Sequence, residues 1–213
     1  MSLDVRQLSL GPIGTNCYLV RRPGVGEAVV VDPGADVARI RVELAGMGAR
    51  AVAILITHGH WDHLGAVADL AEETSAPVHM AEGERALLER IGDYTPAGTI
   101  LRAYTPDVLL AGDESLELAG ISFETTSVPG HSPAHVAYAA DGCLFSGDVL
   151  FAGSVGRTDF PGSDWGTLLA SLGRLVDRYP PETVVYSGHG PATTLGRELA
   201  SNPFLEELRA SRR

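Results

Sequence analysis

The chain has 213 residues, of which 45% are hydrophobic and 20% charged, a balance typical of a globular protein with a substantial apolar core. Its formal net charge of −11 disfavours binding to nucleic acid or to an anionic membrane surface. No apolar run approaches the roughly 18 residues of a membrane span, and no signal-peptide pattern opens the chain, so we expect a single cytoplasmic domain over residues 1–213 without nucleic-acid or membrane partners.

Apolar patterning predicts alternating strands and helices in the first half of the chain. The predicted strands are Val5–Leu10, Cys17–Arg21, Ala28–Val31, Ala51–Ile56 and Pro77–Met80. The predicted helices are Val37–Met47, Asp62–Glu73 and Glu82–Ile91. Residues 92–106, with two prolines and two tyrosines, are predicted to form a loop.

The second half repeats this style. The predicted strands are Ser115–Leu118, Ser122–Val128, Val136–Ala139, Cys143–Ser146 and Val184–Ser187. The predicted helices are Trp165–Arg178 and Leu195–Leu208, the latter bent or broken at Pro203. Two similar halves of mixed α/β structure are therefore expected.

The segment Thr57–Gly65 places three histidines and one aspartate within six positions. Imidazole and carboxylate groups suit zinc, iron or manganese. His58 and His60 point to the same side of an extended segment and can hold one metal ion. Asp62 and His63 follow a bend where a helix begins, so they are displaced toward a second ion. Two-metal sites mostly catalyse hydrolysis.

Four residues cannot complete two coordination shells, so further ligands must come from elsewhere. His131, Asp148 and His189 each follow a predicted strand and stand beside glycine. Polar residues at strand ends are where open sheets present ligand-binding side chains.

The pattern His-x-His-x-Asp-His followed by a lone His, a lone Asp and a lone His resembles the metallo-β-lactamase fold superfamily. The resemblance includes the segments Gly14–Val20, Val31–Gly34 and Gly188–Pro191, and it implies a four-layer αββα sandwich with the metal site at one edge. Within the superfamily, Phe145–Phe160 is most similar to small glyoxalase II-like (hydroxyacylglutathione hydrolase-like) proteins, although persulfide dioxygenases share a similar Gly156–Phe160 segment.

The resemblance implies a ligand set for two divalent metal ions. It assigns His58, His60 and His131 to the first ion, Asp62, His63 and His189 to the second, and Asp148 to both. Zinc is expected, with iron or manganese as alternatives. Asp62 is also the predicted catalytic residue, because it would orient a metal-bound hydroxide.

The implied activity is hydrolysis of a thioester such as S-D-lactoylglutathione by that hydroxide, which gives a hydroxy acid and a free thiol. Larger glyoxalase II enzymes bind glutathione largely through a C-terminal helical domain, whereas only 24 residues (213 − 189) follow His189. The thiol carrier and the oligomeric state are therefore left open.

A persulfide dioxygenase is the alternative, with one iron held by two histidines and a carboxylate drawn from His58, His60, His131 and Asp148. A lactone or β-lactam hydrolase is a third reading, and a metal-stabilised binding protein a fourth.

A few further residues receive predicted roles. Arg157 and Asp159 either bind a substrate carboxylate or form a local ion pair. Asp32, which precedes Pro-Gly after a strand, either forms an ordinary turn or orients a metal-ligating histidine. His135 is expected either to contact a metal ligand or to be structural, and His79 is expected to be structural.

Overall fold

Two six-stranded β-sheets lie face to face in the computed structural model, which describes residues 2–212. In spatial order, the first sheet contains β1 (Asp4–Leu10), β2 (Thr15–Arg21), β3 (Glu27–Val31), β4 (Arg50–Leu55), β5 (Val78–Ala81) and β6 (Val108–Leu110). The second sheet contains β14 (Thr193–Thr194), β13 (Val184–Ser187), β10 (Cys143–Gly147), β9 (Val136–Ala140), β8 (Ile121–Ser127) and β7 (Ser115–Leu118). A small hairpin is formed by β11 (Leu150–Phe151) and β12 (Ser154–Val155).

Parallel pairing sets the edge at which functional loops gather. Strands β3 to β6 run parallel, as do β10 and β13 in the second sheet. The carboxyl ends of parallel strands meet at one edge of a sheet, where loops can present side chains to a ligand.

The helices cover the outer faces of both sheets. They are α1 (Val37–Met47), α2 (Trp61–Leu64), α3 (Val67–Thr74), α4 (Arg85–Glu89), α5 (Trp165–Arg178), α6 (Leu195–Ser201) and α7 (Glu206–Ala210). The longest of them, α5, has 14 residues, and no helix within residues 2–212 combines the length and apolarity that a bilayer span requires.

Side-chain alternation along the strands produces three apolar clusters and hence four layers. On β3, Val30 packs in one cluster with Ile40 of α1, while Val31 packs in another with Phe123 of the second sheet. A third cluster joins the second sheet to α5, α6 and α7. The predicted αββα sandwich is confirmed.

The helix predicted over Asp62–Glu73 is wrong in one respect, because it is two helices. The Ala66 backbone N–H donates to the carbonyl of Pro33 at 3.0 Å, which diverts it from the helical hydrogen-bond ladder. At Gly65, an added Cβ would stand 2.3 Å from the carbonyl oxygen of Gly34. The close approach of the 33–34 turn therefore breaks the helix.

Other differences concern short elements. The helix predicted over Glu82–Ile91 is a 3-10 turn, Glu82–Glu84, followed by the five-residue α4. Strands β6, β11, β12 and β14 were not predicted, because two or three residues are too few to establish a period of two. The predicted break at Pro203 is confirmed, since α6 ends at Ser201.

Candidate metal centre

The seven predicted ligands converge at one edge of the sandwich, although they come from five segments of the chain. They are supplied by the loop after β4 (His58, His60), by α2 (Asp62, His63), and by the loops after β8 (His131), β10 (Asp148) and β13 (His189). Both sheets contribute, so the cluster joins the two halves.

The first set consists of three imidazoles that face one another. Nδ1 of His60 lies 3.0 Å from Nε2 of His58 and 2.9 Å from Nε2 of His131. Burial lowers the pKa of all three, well below the usual value for His58 and to about 4 for His60. These rings are therefore neutral near pH 7, which is the form that binds a metal ion.

The second set combines a carboxylate with two imidazoles. Oδ2 of Asp62 lies 3.4 Å from Nε2 of His63 and 3.4 Å from Nε2 of His189. Zinc–nitrogen and zinc–oxygen bonds of about 2.0–2.1 Å around a tetrahedral ion give ligand–ligand edges of about 3.4 Å. The spacing of this set therefore matches one ion.

Asp148 lies between the two sets. Its Oδ1 is 3.4 Å from Nε2 of His63, and its Oδ2 is 3.4 Å from Nε2 of His189 and 3.6 Å from Nε2 of His131. Close packing keeps the carboxylate there, since a Cβ added to Gly188 would stand 2.0 Å from Oδ1. One carboxylate thus reaches ligands of both sets, as a bridging residue must.

The carboxylates in and around the second set favour positive charge on its histidines. Hydrogen bonds with Asp148 and Asp62 raise the pKa of His189 to about 9. Burial opposes protonation of His63, but Asp148 and Asp32 outweigh it and raise its pKa well above the usual value. The raised pKa values of both histidines show that the carboxylates around them favour positive charge, which divalent cations would supply.

Two buried atoms at the centre of the cluster test its fit to metal ions. Among the described residues, Nε2 of His63 and Oδ1 of Asp148 have no hydrogen-bond partner. Buried polar atoms without partners are costly unless an ion or water satisfies them. The donor set of imidazoles and carboxylates is therefore suited to binding two metal ions, and its chemistry admits zinc, iron or manganese.

Asp32 orients ligands in both sets through a small network. Its Oδ2 accepts hydrogen bonds from Nδ1 of His63 at 3.0 Å and from Oγ1 of Thr57 at 2.7 Å. Because the Thr57 hydroxyl donates to Asp32, its oxygen accepts from Nδ1 of His58 at 3.0 Å. Both rings are left with Nε2 directed at the cluster, so the orienting role expected for Asp32 agrees with the geometry.

Two more contacts orient the ligands from the second half. Nδ1 of His131 donates to the backbone oxygen of Arg157 at 2.8 Å. The ring of His135 stacks on that of His58 with centroids 4.6 Å apart, and its Nε2 accepts from the Asp148 backbone N–H at 3.2 Å. His135 therefore contacts two of the ligand residues without being one of the seven ligands, in agreement with the expectation for this residue.

Some of the contacts that support the ligands had no signal in the sequence. Thr15 donates to Oδ2 of Asp62 at 2.6 Å, and it lies far from the metal motif in the chain. Glu84 is fully buried and accepts hydrogen bonds from Gly59 and Ser132, which belong to the two loops that carry the first set. Isolated threonines and glutamates are too common for their position alone to reveal such contacts.

A pocket of about 670 Å³ opens above the cluster and is lined by His60, Asp62, His131, Asp148 and His189 together with mainly apolar residues. The side chain of Arg157 lines it as well, but its guanidinium pairs with Asp159 at 2.8 and 2.7 Å. Both side chains of this pair are about two-thirds exposed. The ion-pair reading of Arg157 and Asp159 thus agrees with the geometry, and substrate contact by either residue stays a prediction.

An αββα sandwich with paired ligand sets at one edge defines a class of metal-dependent proteins. The chain belongs to the metallo-beta-lactamase superfamily, since the model of that family matches residues 10–189. A Bacillus subtilis (strain 168) protein described as "Probable metallo-hydrolase YqgX" is 36% identical over 94% of this chain and 96% of its own length. "Hydroxyacylglutathione hydrolase GloC" of Haemophilus influenzae (strain ATCC 51907 / DSM 11121 / KW20 / Rd) is 33% identical over 84% of this chain and 87% of its own.

Solved structures agree with this assignment. The "BLEG-1 B3 metallo-beta-lactamase" superposes with a TM-score of 0.90 and 40% identity, covering 95% of this chain and 100% of that one. "TTHA1623 in a di-iron-bound form" gives a TM-score of 0.78 and 41% identity over 94% and 100%. The fold and the types of the clustered ligands therefore agree that the chain is a metal-dependent hydrolase of this superfamily.

Proposed function

We propose that the protein hydrolyses thioesters at a site holding two metal ions, with zinc as the expected metal. The single observation that supports two ions is the position of Asp148, whose two oxygens lie 3.4 to 3.6 Å from histidines of both sets. A one-iron dioxygenase needs only two histidines and one carboxylate. The complete second set, Asp62, His63 and His189, favours the two-ion hydrolase.

Hydrolysis of a thioester requires an activated water, a polarised carbonyl group and a leaving thiolate. Two bound divalent ions would supply an activated water, by lowering its pKa to roughly 7, and a Lewis acid for the carbonyl oxygen. Asp62, which lines the pocket and is fixed by Thr15, would accept a hydrogen bond from the attacking water and orient it. A thiolate, with a conjugate-acid pKa near 8.5, leaves without strong acid assistance. The similarity to the Haemophilus hydroxyacylglutathione hydrolase supports the thioester.

β-Lactam hydrolysis is a second candidate function. The structural similarity to the BLEG-1 B3 metallo-beta-lactamase over 95% of this chain supports it. The same residues would act on either carbonyl, so the two activities differ in which groups the pocket accepts.

The test is hydrolysis of S-D-lactoylglutathione by the purified protein, with bound metals quantified in the same sample. We expect turnover with about two ions per chain and its loss on chelation. Ions in place, turnover of a β-lactam and none of the thioester would replace the first proposal with the second. Ions in place with neither activity would contradict both.

Asp62→Ala tests the proposed role of that carboxylate. We expect a fall in kcat of at least about a hundredfold, since one orienting contact and one ligand are lost together. Asp69→Ala, which removes a partly exposed aspartate of α3 that pairs with Arg102, is the matched control and should leave activity unchanged. Full activity and full metal content in Asp62→Ala would contradict the assigned role.

A further inference from the structure

The walls of the pocket above the metal cluster are apolar. Six large apolar or aromatic residues line it: Ile13, Trp61, Leu87, Tyr94, Phe151 and Phe160. Three of them remain well exposed, Ile13 at 54%, Tyr94 at 46% and Phe160 at 37%. Exposed apolar residues gathered around one cavity from separate segments indicate a surface that a ligand covers.

Arginine and lysine side chains are scarce in the walls of the same pocket, away from the metal ligands. All 16 basic residues of the chain are arginines, and among the described lining residues only Arg157 belongs to them. Its charge is already paired with Asp159, and its guanidinium lies 4.5 Å from the centre of the Phe160 ring. A substrate carboxylate at the wall of the pocket, out of reach of the metal ions, would therefore have to displace an existing ion pair.

We propose that the substrate is a thioester whose thiol portion is uncharged and apolar; this inference rests on the proposed function. A glutathionyl group carries two carboxylates and one ammonium, and desolvating them in an apolar pocket costs free energy unless each finds a partner. The net charge of −11 adds no attraction for an anion. An apolar thiol portion instead covers the exposed aromatic and aliphatic walls.

Three S-D-lactoyl thioesters test the inference, because they share one acyl group and alkyl thiols of similar acidity: those of glutathione, N-acetylcysteamine and benzyl mercaptan. We expect kcat/KM to be at least about tenfold higher for the benzyl mercaptan ester than for the glutathione ester, since buried apolar area favours it. Equal or faster turnover of the glutathione ester would overturn this inference alone. No turnover of any ester by protein that holds its ions would overturn the proposed function.

Two isoleucines provide a matched pair of variants. Ile13 lines the pocket at 54% exposure, whereas Ile100 is 95% exposed and is not among the lining residues. We expect Ile13→Ala to lower kcat/KM for the benzyl mercaptan ester about fivefold and for the glutathione ester by a smaller factor. Ile100→Ala should alter neither, and equal effects of both variants would count against the apolar wall.

A buried carboxylate supports a second, independent inference. Glu84 follows β5 and is fully buried. Its Oε2 accepts from the Gly59 backbone N–H at 2.9 Å, and its Oε1 accepts from Oγ of Ser132 at 2.7 Å and from the Ala134 backbone N–H at 2.8 Å. Gly59 lies between two ligands of the first set, and Ser132 follows the third.

We infer that Glu84 is a positioning residue for the first metal ion, because it joins the two loops that carry His58, His60 and His131. None of its three recorded donors belongs to or adjoins a residue of the second set. Its loss would let the two loops separate, and the affinity for one ion would fall while the other ion stays bound.

Glu84→Gln is the test, because glutamine keeps the volume of the side chain but replaces one accepting oxygen with an NH₂ group. That group cannot accept a hydrogen bond from the donors that face it. Glu198→Gln is the matched control, since Glu198 is equally buried and accepts from Gly153, Asn202 and Thr193, away from the ligands. Competition with a chelator should show at least about tenfold weaker binding of one ion in Glu84→Gln only. Equal losses for both ions, or in both variants, would refute a positioning role. If Glu84→Gln does not fold, Ser132→Ala should show a smaller loss for the same ion, and an unchanged affinity there would overturn the inference.

Discussion

At the residue scale, Asp32 has a conformation that its contacts explain. Its φ of 50° lies in the left-handed region, which is strained for a residue other than glycine. The strain is offset by three hydrogen bonds, from the Thr57 backbone N–H, from the Thr57 hydroxyl and from Nδ1 of His63. The unusual backbone places one carboxylate where it serves ligands of both sets.

Asp32→Asn should therefore weaken metal binding without destroying the fold. Asparagine tolerates the left-handed region, but an amide group cannot accept all three hydrogen bonds. We expect about a 10- to 100-fold loss of metal affinity, measured by competition with a chelator. Asp36→Asn, at another residue with positive φ and outside the cluster, is the control. Unchanged affinity in Asp32→Asn would show that Thr57 and His63 keep their orientation without the carboxylate.

The sequence was informative about ligands and uninformative about their supports. His58 to His63 share a short motif, and the three distant ligands follow predicted strands beside glycine. Thr15, Thr57 and Glu84 act through contacts that exist only after the loops have met. Thr15 lies in the segment Gly14–Val20 and Thr57 opens the metal motif, but their types and spacing do not indicate which ligands they contact. Only the structure could identify these contacts.

At the element scale, β5 carries a buried histidine that lacks a hydrogen-bond partner. His79 is 6% exposed, and neither ring nitrogen is bonded among the described residues. Its strand neighbours Val78 and Met80 pack toward the outer helices, so His79 shares the other face with Ala81. Burial lowers its pKa, and the partly opposing charge of Asp107 does not reverse the shift.

His79→Phe should make the protein less sensitive to mild acid. The folded state disfavours the proton that the unfolded chain accepts near pH 6.5, so stability is lost as the pH falls below that value. We expect the parent to lose up to about 1.4 kcal/mol more than the variant between pH 7.5 and 5.5. Urea unfolding at both pH values measures the difference, and the metal ligands cancel because both proteins carry them. Equal losses would mean that His79 binds a proton as readily in the folded protein as in the unfolded chain.

Long elements were predicted well, and short ones were not. α1 and α5 begin and end where the periodicity predicted, because each spans three or more turns and has an aspartate cap. The break between α2 and α3 depends on a turn at Pro33, which lies 33 residues before Ala66 in the chain (66 − 33). Local patterning cannot report a contact of that kind.

At the scale of the whole molecule, the metal cluster is also a junction between the two sheets. Tyr18 of β2 donates to the backbone oxygen of Ser187 at 2.6 Å, and Asn16 donates to the oxygens of Ser187 and Gly190 at 2.9 Å each. These bonds tie the His189 loop to the first sheet. Bound ions would add a second link between the halves.

Removal of the ions should lower thermal stability as well as activity. Each ion that binds only the folded chain, at a thousand times its Kd, adds about 4 kcal/mol, which corresponds to roughly 8–16 °C in Tm for a protein of this size. We expect EDTA to lower Tm by at least the amount for one ion and zinc to restore it. EDTA saturated with zinc, which has no free capacity for the bound ions, is the control for ionic effects. An unchanged Tm in the metal-free protein would show that the cluster is held by its protein contacts alone.

The order of the ligands along the chain has a consequence for biosynthesis. Four of the seven lie within residues 58–63, but the last, His189, is made 126 residues later (189 − 63). At about 5–20 residues per second, a ribosome needs about 6–25 s to cover that distance. Throughout that interval the ligand set of the second ion lacks His189. All seven ligands therefore exist together only when synthesis is nearly finished, and full coordination of both ions has to follow that point.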